Sequence, residues 1–231
     1  MPEGRIPALP TGFASLDAAC GIGGLPRGHI VEIFGPPNSG KTALALQAIA
    51  HLQRQRGAAA WIDAEHVFDP AFAMQLGLDL DRIAVAQPDS AEQAFHMIHR
   101  FTESGAVDLI VIDSAAALTP EFELDAGLAA DTTALQSRVL GSELRKLVPA
   151  AARSGVCVVF LNQTRARLDS APGELETSAG GPSLKLHSAV RIALAAAGKI
   201  VRFRVLKNKF GPPFQKGELQ WLPGSGFVEC P

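Results

Sequence analysis

Eight consecutive residues restrict this chain to few folds: Gly35-Pro36-Pro37-Asn38-Ser39-Gly40-Lys41-Thr42, a complete G-x-x-x-x-G-K-T pattern. The run HIVEIF (29–34) reads as a strand, and ALALQAIAHLQRQR after Thr42 has helical character, so the context is strand, loop, helix. Gly35 and Gly40 let the backbone curl until successive N–H groups point inward, as a phosphate cradle requires. Lys41 adds a point charge for the β- and γ-phosphates, and the Thr42 hydroxyl can ligate Mg²⁺. A helix starting at Lys41 adds its positive dipole end to the same place. The stretch from Gly35 to Ala43 is therefore read as a nucleotide-binding segment.

Strand-like and helix-like segments alternate along the rest of the chain. AAAWID (58–63), RIAVA (82–86), DLIVID (108–113) and VCVVFLNQ (156–163) read as strands, and runs near 189–195 and 199–207 as a pair. AFAMQLG (71–77), a segment capped by Ser90 and running to about Ser104, and Thr132 to Arg153 read as helices, the last containing Pro149. That alternation predicts an α/β fold with a mostly parallel central sheet flanked by helices. With 231 residues, 47% of them hydrophobic, the expectation is a single domain over 1–231. Residues 1–10 are expected to be a flexible N-terminal segment. Pro120–Asp131 and Thr164–Gly181 fit no element, and a loop as long as 164–181 is expected to be mobile. A net charge of -2 offers no global basic field, so any nucleic-acid contact must come from a local patch. Cys20, Cys157 and Cys230 lack metal-ligand spacing, which suits a reducing cytoplasm. MPEGRIPALP lacks an apolar signal region and no apolar run reaches bilayer length, so the expectation is a soluble, cytoplasmic protein without a membrane partner.

Asp113 closes the apolar strand LIVI, where a carboxylate can hold a water of the Mg²⁺ shell; the plainer reading is a strand-end cap. The phosphate loop favours the metal role. From Thr11 to about Phe227 the chain resembles the ATPase core of the RecA recombinase family. The resemblance is carried by TGFASLDAACGIGGLPRGHIVEIFGPPNSGKT, WIDAEHVFDPAFAMQLG, GAVDLIVIDSAAALTP, VVFLNQTRARL, TSAGGPSLKLHSAVRI and VLKNKFGPPFQKGEL, in the same order. It implies a RecA-like P-loop NTPase that takes ATP and Mg²⁺. Lys41 then serves catalysis as well as binding. Glu65, a solvated loop carboxylate on its own terms, matches the residue that orients the attacking water. Gln163 matches the amide that senses the γ-phosphate, and His66 is read as structural. Asp69 and Phe72 match positions that meet the adenine; the chain has no tyrosine, and Phe72 reads equally as a core residue. Lys207 and Lys209 match cations that reach the ATP of a neighbouring subunit, although alternating lysines usually line a solvated strand face.

The resemblance also implies single-stranded DNA as partner, through Arg138, Arg145, Arg165 and Arg167 with Gly180 and Gly181; four unrelated surface arginines are the alternative. Several departures are evident. Glu121, Glu123 and Asp125 make the first loop acidic; Ala171-Pro172 replaces large apolar residues, leaving Leu168; and Leu186 stands where an aromatic is usual. Because the sequence starts almost at the core and stops soon after it, the family's N-terminal docking element and C-terminal domain are expected to be missing. The expectation is weak or absent self-association and low basal hydrolysis. Two functions follow: a DNA-dependent ATPase of recombination and repair, or an accessory ATP-binding paralogue that acts on a repair-protein partner without strand exchange. A circadian-clock or RadA-type motor is the third reading, disfavoured by LNQTRARL and VLKNKFGPPF.

Overall fold

Apolar runs decide the middle of the sheet. The computed structural model describes residues 6–126, 132–165, 177–179 and 181–230. Its strands are β1 (Ala8–Leu9), β2 (Leu25–Pro26), β3 (Ile30–Gly35), β4 (Ala59–Asp63), β5 (Ile83–Ala86), β6 (Leu109–Asp113), β7 (Cys157–Arg165), β8 (Thr177–Ser178), β9 (Val190–Ala197), β10 (Ile200–Asn208), β11 (Lys216–Leu222) and β12 (Gly226–Glu229). The main sheet runs β12-β11-β10-β9-β3-β7-β6-β4-β5. From β9 across to β5 every neighbouring pair is parallel. Strands β9 to β12 continue it as an antiparallel meander. The expected parallel α/β sheet is present, and the expected pair near 190–207 is the β9–β10 hairpin.

The helices are α1 (Ala14–Ala19), α2 (Lys41–Arg54), α3 (Pro70–Gln75), α4 (Ala91–Ser104), α5 (Glu121–Ala126), α6 (Thr132–Ser154) and α7 (Pro182–His187). Ser90 caps α4 by accepting from the Gln93 N–H at 3.2 Å, and Gly105, left-handed at φ 65, ends it. On α4 the buried residues Ala91, Ala94, Phe95, Ile98 and Thr102 recur at helical spacing, and on α6 so do Leu140, Leu144, Leu147 and Ala151. Both stripes pack on one sheet face with Ile110, Ile112, Val158 and Phe160. The opposite face holds Val111, Val159 and Leu161 with Leu44, Leu46 and Ile49 of α2. Strands buried on both faces cannot alternate polar with apolar residues, which is why the central ones are continuous apolar runs.

Three of the stretches singled out above contain described structure. Within the segment expected to be flexible, Ala8 and Leu9 pair antiparallel with β2, and Leu9 is buried. Residues 1–5 lie outside the described part. The unassigned stretch 120–131 contains α5, whose first turn carries Glu121 and Glu123; residues 127–131 lie outside the described part. The foot of the 164–181 segment is an antiparallel ladder, Thr164 opposite Ser178 and Arg165 opposite Thr177. Its residues 166–176 and 180 are not described.

Candidate functional site

The phosphate-loop pattern becomes a bend between β3 and α2, at the carboxyl end of a central parallel strand. Gly40 takes φ 86, where a side chain is strained, and an added Cβ would lie 2.4 Å from the Phe227 ring. At Gly35 the obstacle is the Leu194 carbonyl oxygen, also 2.4 Å away. Both glycines are thus fixed by neighbours the pattern itself does not contain. Lys41 Nζ donates to the carbonyls of Gly35 (3.0 Å) and Pro36 (2.8 Å), so its charge sits inside the loop. Burial lowers its pKa, while Asp113 and Glu65 pull the other way. The Thr42 hydroxyl donates to Asp113 Oδ2 at 2.8 Å. Asp113 is pushed up to about 6, first by burial and then by the charges of Glu65 and Asp63, against the Thr42 bond and Lys41. A cation beside these two oxygens would relieve that crowding, so the donor set suits Mg²⁺, which asks for few protein ligands besides phosphate and water.

The acidic side is assembled by register. Strands β4 and β6 are adjacent with Asp63 opposite Asp113, and the Asp113 carbonyl accepts from Ala64 N (2.8 Å) and Glu65 N (3.2 Å). Glu65 Oε1 accepts from the Ser114 hydroxyl (2.5 Å) and from Gln163 Nε2 (3.5 Å). Glu65, Gln163, Thr164 and Ala179 line one cavity of about 400 Å³. The structure therefore brings Lys41, Thr42, Asp113, Glu65 and Gln163 to the carboxyl ends of adjacent strands, although 98 residues separate the last two. Asp63, only part of an acidic cluster in the sequence, is buried and accepts from Val67 N (3.1 Å), Phe68 N (2.9 Å) and Gln87 Nε2 (2.8 Å). Its carboxylate shapes the turn that presents Glu65. His66 Nε2 lies 3.1 Å from the Pro88 carbonyl, a structural contact.

On the other side of the loop a cavity of about 420 Å³ is lined by Asn38, Gly40, Thr42, Phe72, Trp221 and Phe227, among others. The Phe72 and Trp221 rings lie 6.4 Å apart and tilted, and Phe227 meets Trp221 edge-on at 5.0 Å. Of the two residues matched to the adenine, Phe72 reaches this cavity. Asp69 Oδ1 instead caps α3, accepting from Ala71 N (2.8 Å) and Phe72 N (3.1 Å). Trp221 was invisible to sequence reading because β11 was not recognised; the QWLPG turn was its only signal.

The remaining candidates lie apart from these cavities. Arg138 and Arg145 are exposed on α6, seven residues and so about two turns apart on one side of the helix. Arg165 contributes a backbone ladder position, while Arg167 and Gly180 lie outside the described residues. Gly181 has φ +77, and a Cβ there would lie 2.5 Å from Ser137 Oγ; its close approach is to α6. Lys207 Nζ donates to the carbonyls of Lys185 and Leu186, both at 2.9 Å, closing the end of α7, and burial lowers its pKa. Lys209 is exposed just beyond β10. A third cavity, about 980 Å³, opens over the β9–β11 face with Arg202, Arg204 and Lys216, cations the sequence reading did not single out. No described helix is long and apolar enough to cross a membrane.

The family model described as RecA N-terminal domain matches residues 2–228. The chain is 44% identical to protein RecA of Bifidobacterium longum, over 98% of this chain and 59% of that protein. It is 45% identical to protein RecA of Mycobacteroides abscessus (96% and 67% covered) and 43% to that of Thermus thermophilus (98% and 70% covered). The chain thus spans about three fifths of the length of the Bifidobacterium relatives it matches.

Proposed function

This chain belongs to the RecA family, and from that premise we propose that it hydrolyses ATP to ADP and phosphate in response to single-stranded DNA, serving recombination and repair in the cytoplasm. One observation carries the proposal: Lys41, the Thr42–Asp113 pair and the Ser114–Glu65–Gln163 cluster meet at the ends of strands β3, β4, β6 and β7. Backbone N–H groups of residues 38–42, beyond the two prolines, and the Lys41 ammonium hold the phosphates. Thr42, with Asp113 behind a water, would hold magnesium, which would supply charge neutralisation at the phosphate oxygens. Glu65 orients a water in the cavity it shares with Gln163. The new bond forms from that water's oxygen to the γ-phosphorus, the bond to the bridging oxygen breaks, and the water proton passes to Glu65. The Ser114 hydroxyl fixes the carboxylate, which shortens the search for a reactive geometry.

Gln163 lines the cavity with Glu65 and immediately precedes the segment read as DNA-binding, so its amide would exchange Glu65 for a phosphate oxygen. Arg138, Arg145, Arg165 and Arg167 would grip phosphates of the strand, with binding that weakens steeply in salt. Phe72 and Trp221 receive the base. Lys207 and Lys209 would serve a neighbouring copy's ATP only if Lys207 releases the end of α7. An accessory reading has its own support in the acidic, exposed start of α5 at Glu121, with Phe122 65% exposed beside it.

Steady-state hydrolysis, with and without single-stranded DNA at low and high salt, tests the proposal. We expect DNA stimulation that salt abolishes, a loss of about a hundredfold or more in kcat for Glu65→Ala, and no activity in Lys41→Ala. ATP binding without stimulation at any protein concentration would overturn it in favour of the accessory reading.

A further inference from the structure

Glu32 is fully buried on β3, three residues before the phosphate loop begins at Gly35, in a strand that is otherwise apolar. A carboxylate taken out of water costs several kcal/mol unless it is paired and hydrogen-bonded. Here every requirement is met. Arg191 on β9, in register with Glu32 and 6% exposed, donates from Nε to Oε2 at 2.5 Å, with its guanidinium 4.5 Å above the Phe34 ring. Asn162 on β7, fully buried, donates from Nδ2 to Oε1 at 2.9 Å.

The far ends of the network converge. Asn162 Nδ2 also donates to the Ala179 carbonyl (2.9 Å), and Asn162 Oδ1 accepts from Gln163 N (2.9 Å). Arg191 Nη2 donates to Ser178 Oγ at 3.1 Å, and Ala179 N donates to the Gln163 carbonyl at 2.9 Å. Among the described residues, every side-chain hydrogen bond that leaves Glu32, Asn162 and Arg191 thus ends on the Gln163 backbone or on residues 178–179, the returning stem of the 164–181 segment. Apolar residues of similar volume could fill this part of the core with equal or greater stability. What the charged version adds is a fixed distance between phosphate-loop strand, Gln163 and stem.

We propose that Glu32, Asn162 and Arg191 are positioning residues that hold Gln163 and the Ser178–Ala179 stem against the γ-phosphate end of the phosphate loop. The inference rests on the role given above to Gln163. The three residues touch no substrate; they set where the amide side chain beside Glu65 can stand. Through Asn162, a displacement of the stem at Ala179 is delivered to β3 across two hydrogen bonds.

Asn162→Asp tests this most sharply, because it keeps the acceptor for Gln163 N, loses both donors and sets a second carboxylate against Glu32. The double variant Glu32→Gln with Asn162→Asp reverses the amide and the carboxylate. Gln at position 32 can then donate to the new carboxylate and accept from Arg191, and only the bond to the Ala179 carbonyl stays lost. Amide exchange at Gln163 and Ala179 is measured in the nucleotide-free chain, alongside kcat and KM for ATP and the unfolding midpoint. For Asn162→Asp we expect exchange at Ala179 faster by about tenfold or more, kcat lower by about tenfold, and KM within about threefold of the parent. The double variant should return kcat to within about threefold. Unchanged exchange and kcat in Asn162→Asp would overturn the proposal. So would losses spread evenly over β4 and β6 that track the unfolding midpoint without rescue, since these mark a merely structural role. Should Asn162→Asp not fold, Arg191→Lys, which keeps the charge and loses the donor to Ser178, makes the same comparison. A parent chain that hydrolyses no ATP would sink the functional reading alone, because exchange at Ala179 still decides whether the network holds the stem.

Discussion

Asp113 keeps its proton to a pH at which a free carboxyl has lost it, because burial and two acidic neighbours oppose its charge. Its pKa stands at about 6 in the folded chain against 3.8 unfolded. Between those values the folded state binds the extra proton, so this group's contribution makes stability fall as pH rises from about 4 to about 6, by roughly 3 kcal/mol at most. Asp113→Asn keeps an acceptor for Thr42 and removes the charge. Without nucleotide or magnesium, the variant should withstand more denaturant than the parent at pH 7.5, and the gap should close below about pH 4. Equal stability at pH 7.5 would mean the carboxylate is not strained there. Lys41, Thr42 and Asp113 were legible in the sequence because each sits at a fixed offset in, or at the end of, a local pattern. Ser114, Asp63 and Trp221 were not, since each finds its partner elsewhere in the chain: Glu65 in the turn after β4, Gln87 just beyond β5 and Phe72 on α3.

Among the elements, the central strands were readable for the same reason they are stable: residues such as Ile110 and Val111 are buried on opposite faces. Strands β11 and β12 were missed because KGELQWL mixes charge with a glycine that ordinarily weakens a strand. Gly217 is needed there, as a Cβ would lie 2.3 Å from the Phe203 ring. Helix α7 was hidden by its brevity. The turn after β4 carries a prediction of its own. Asp63 accepts three N–H donors, whereas asparagine offers one acceptor oxygen and turns an N–H₂ toward donors, at a cost of about 1–3 kcal/mol. If Asp63 aims Glu65, kinetics of Asp63→Asn should give kcat lower by about tenfold or more with KM for ATP little changed. A raised KM with an unaltered kcat would assign the turn to binding instead.

At the scale of the whole molecule, the parallel half of the sheet supplies the phosphate loop, Glu65, Asp113 and Gln163, and the antiparallel half supplies Trp221 and Phe227. The order β9-β3-β7-β6-β4 sets the ends of sequence-distant strands side by side, which converts scattered motifs into one site. The central claim is that a triphosphate nucleotide sits in that site, base against the aromatic rings and phosphates against Lys41. The chain carries its own reporter, for Trp61 is 1% exposed whereas Trp221 lines the cavity. Tryptophan fluorescence titrated with magnesium-ATP therefore tests the claim most directly. The account predicts a saturable change that vanishes in Lys41→Ala, through lost binding, and in Trp221→Phe, through a lost reporter. A folded parent chain whose emission stays flat up to millimolar nucleotide, and whose calorimetric titration is equally silent, would contradict it.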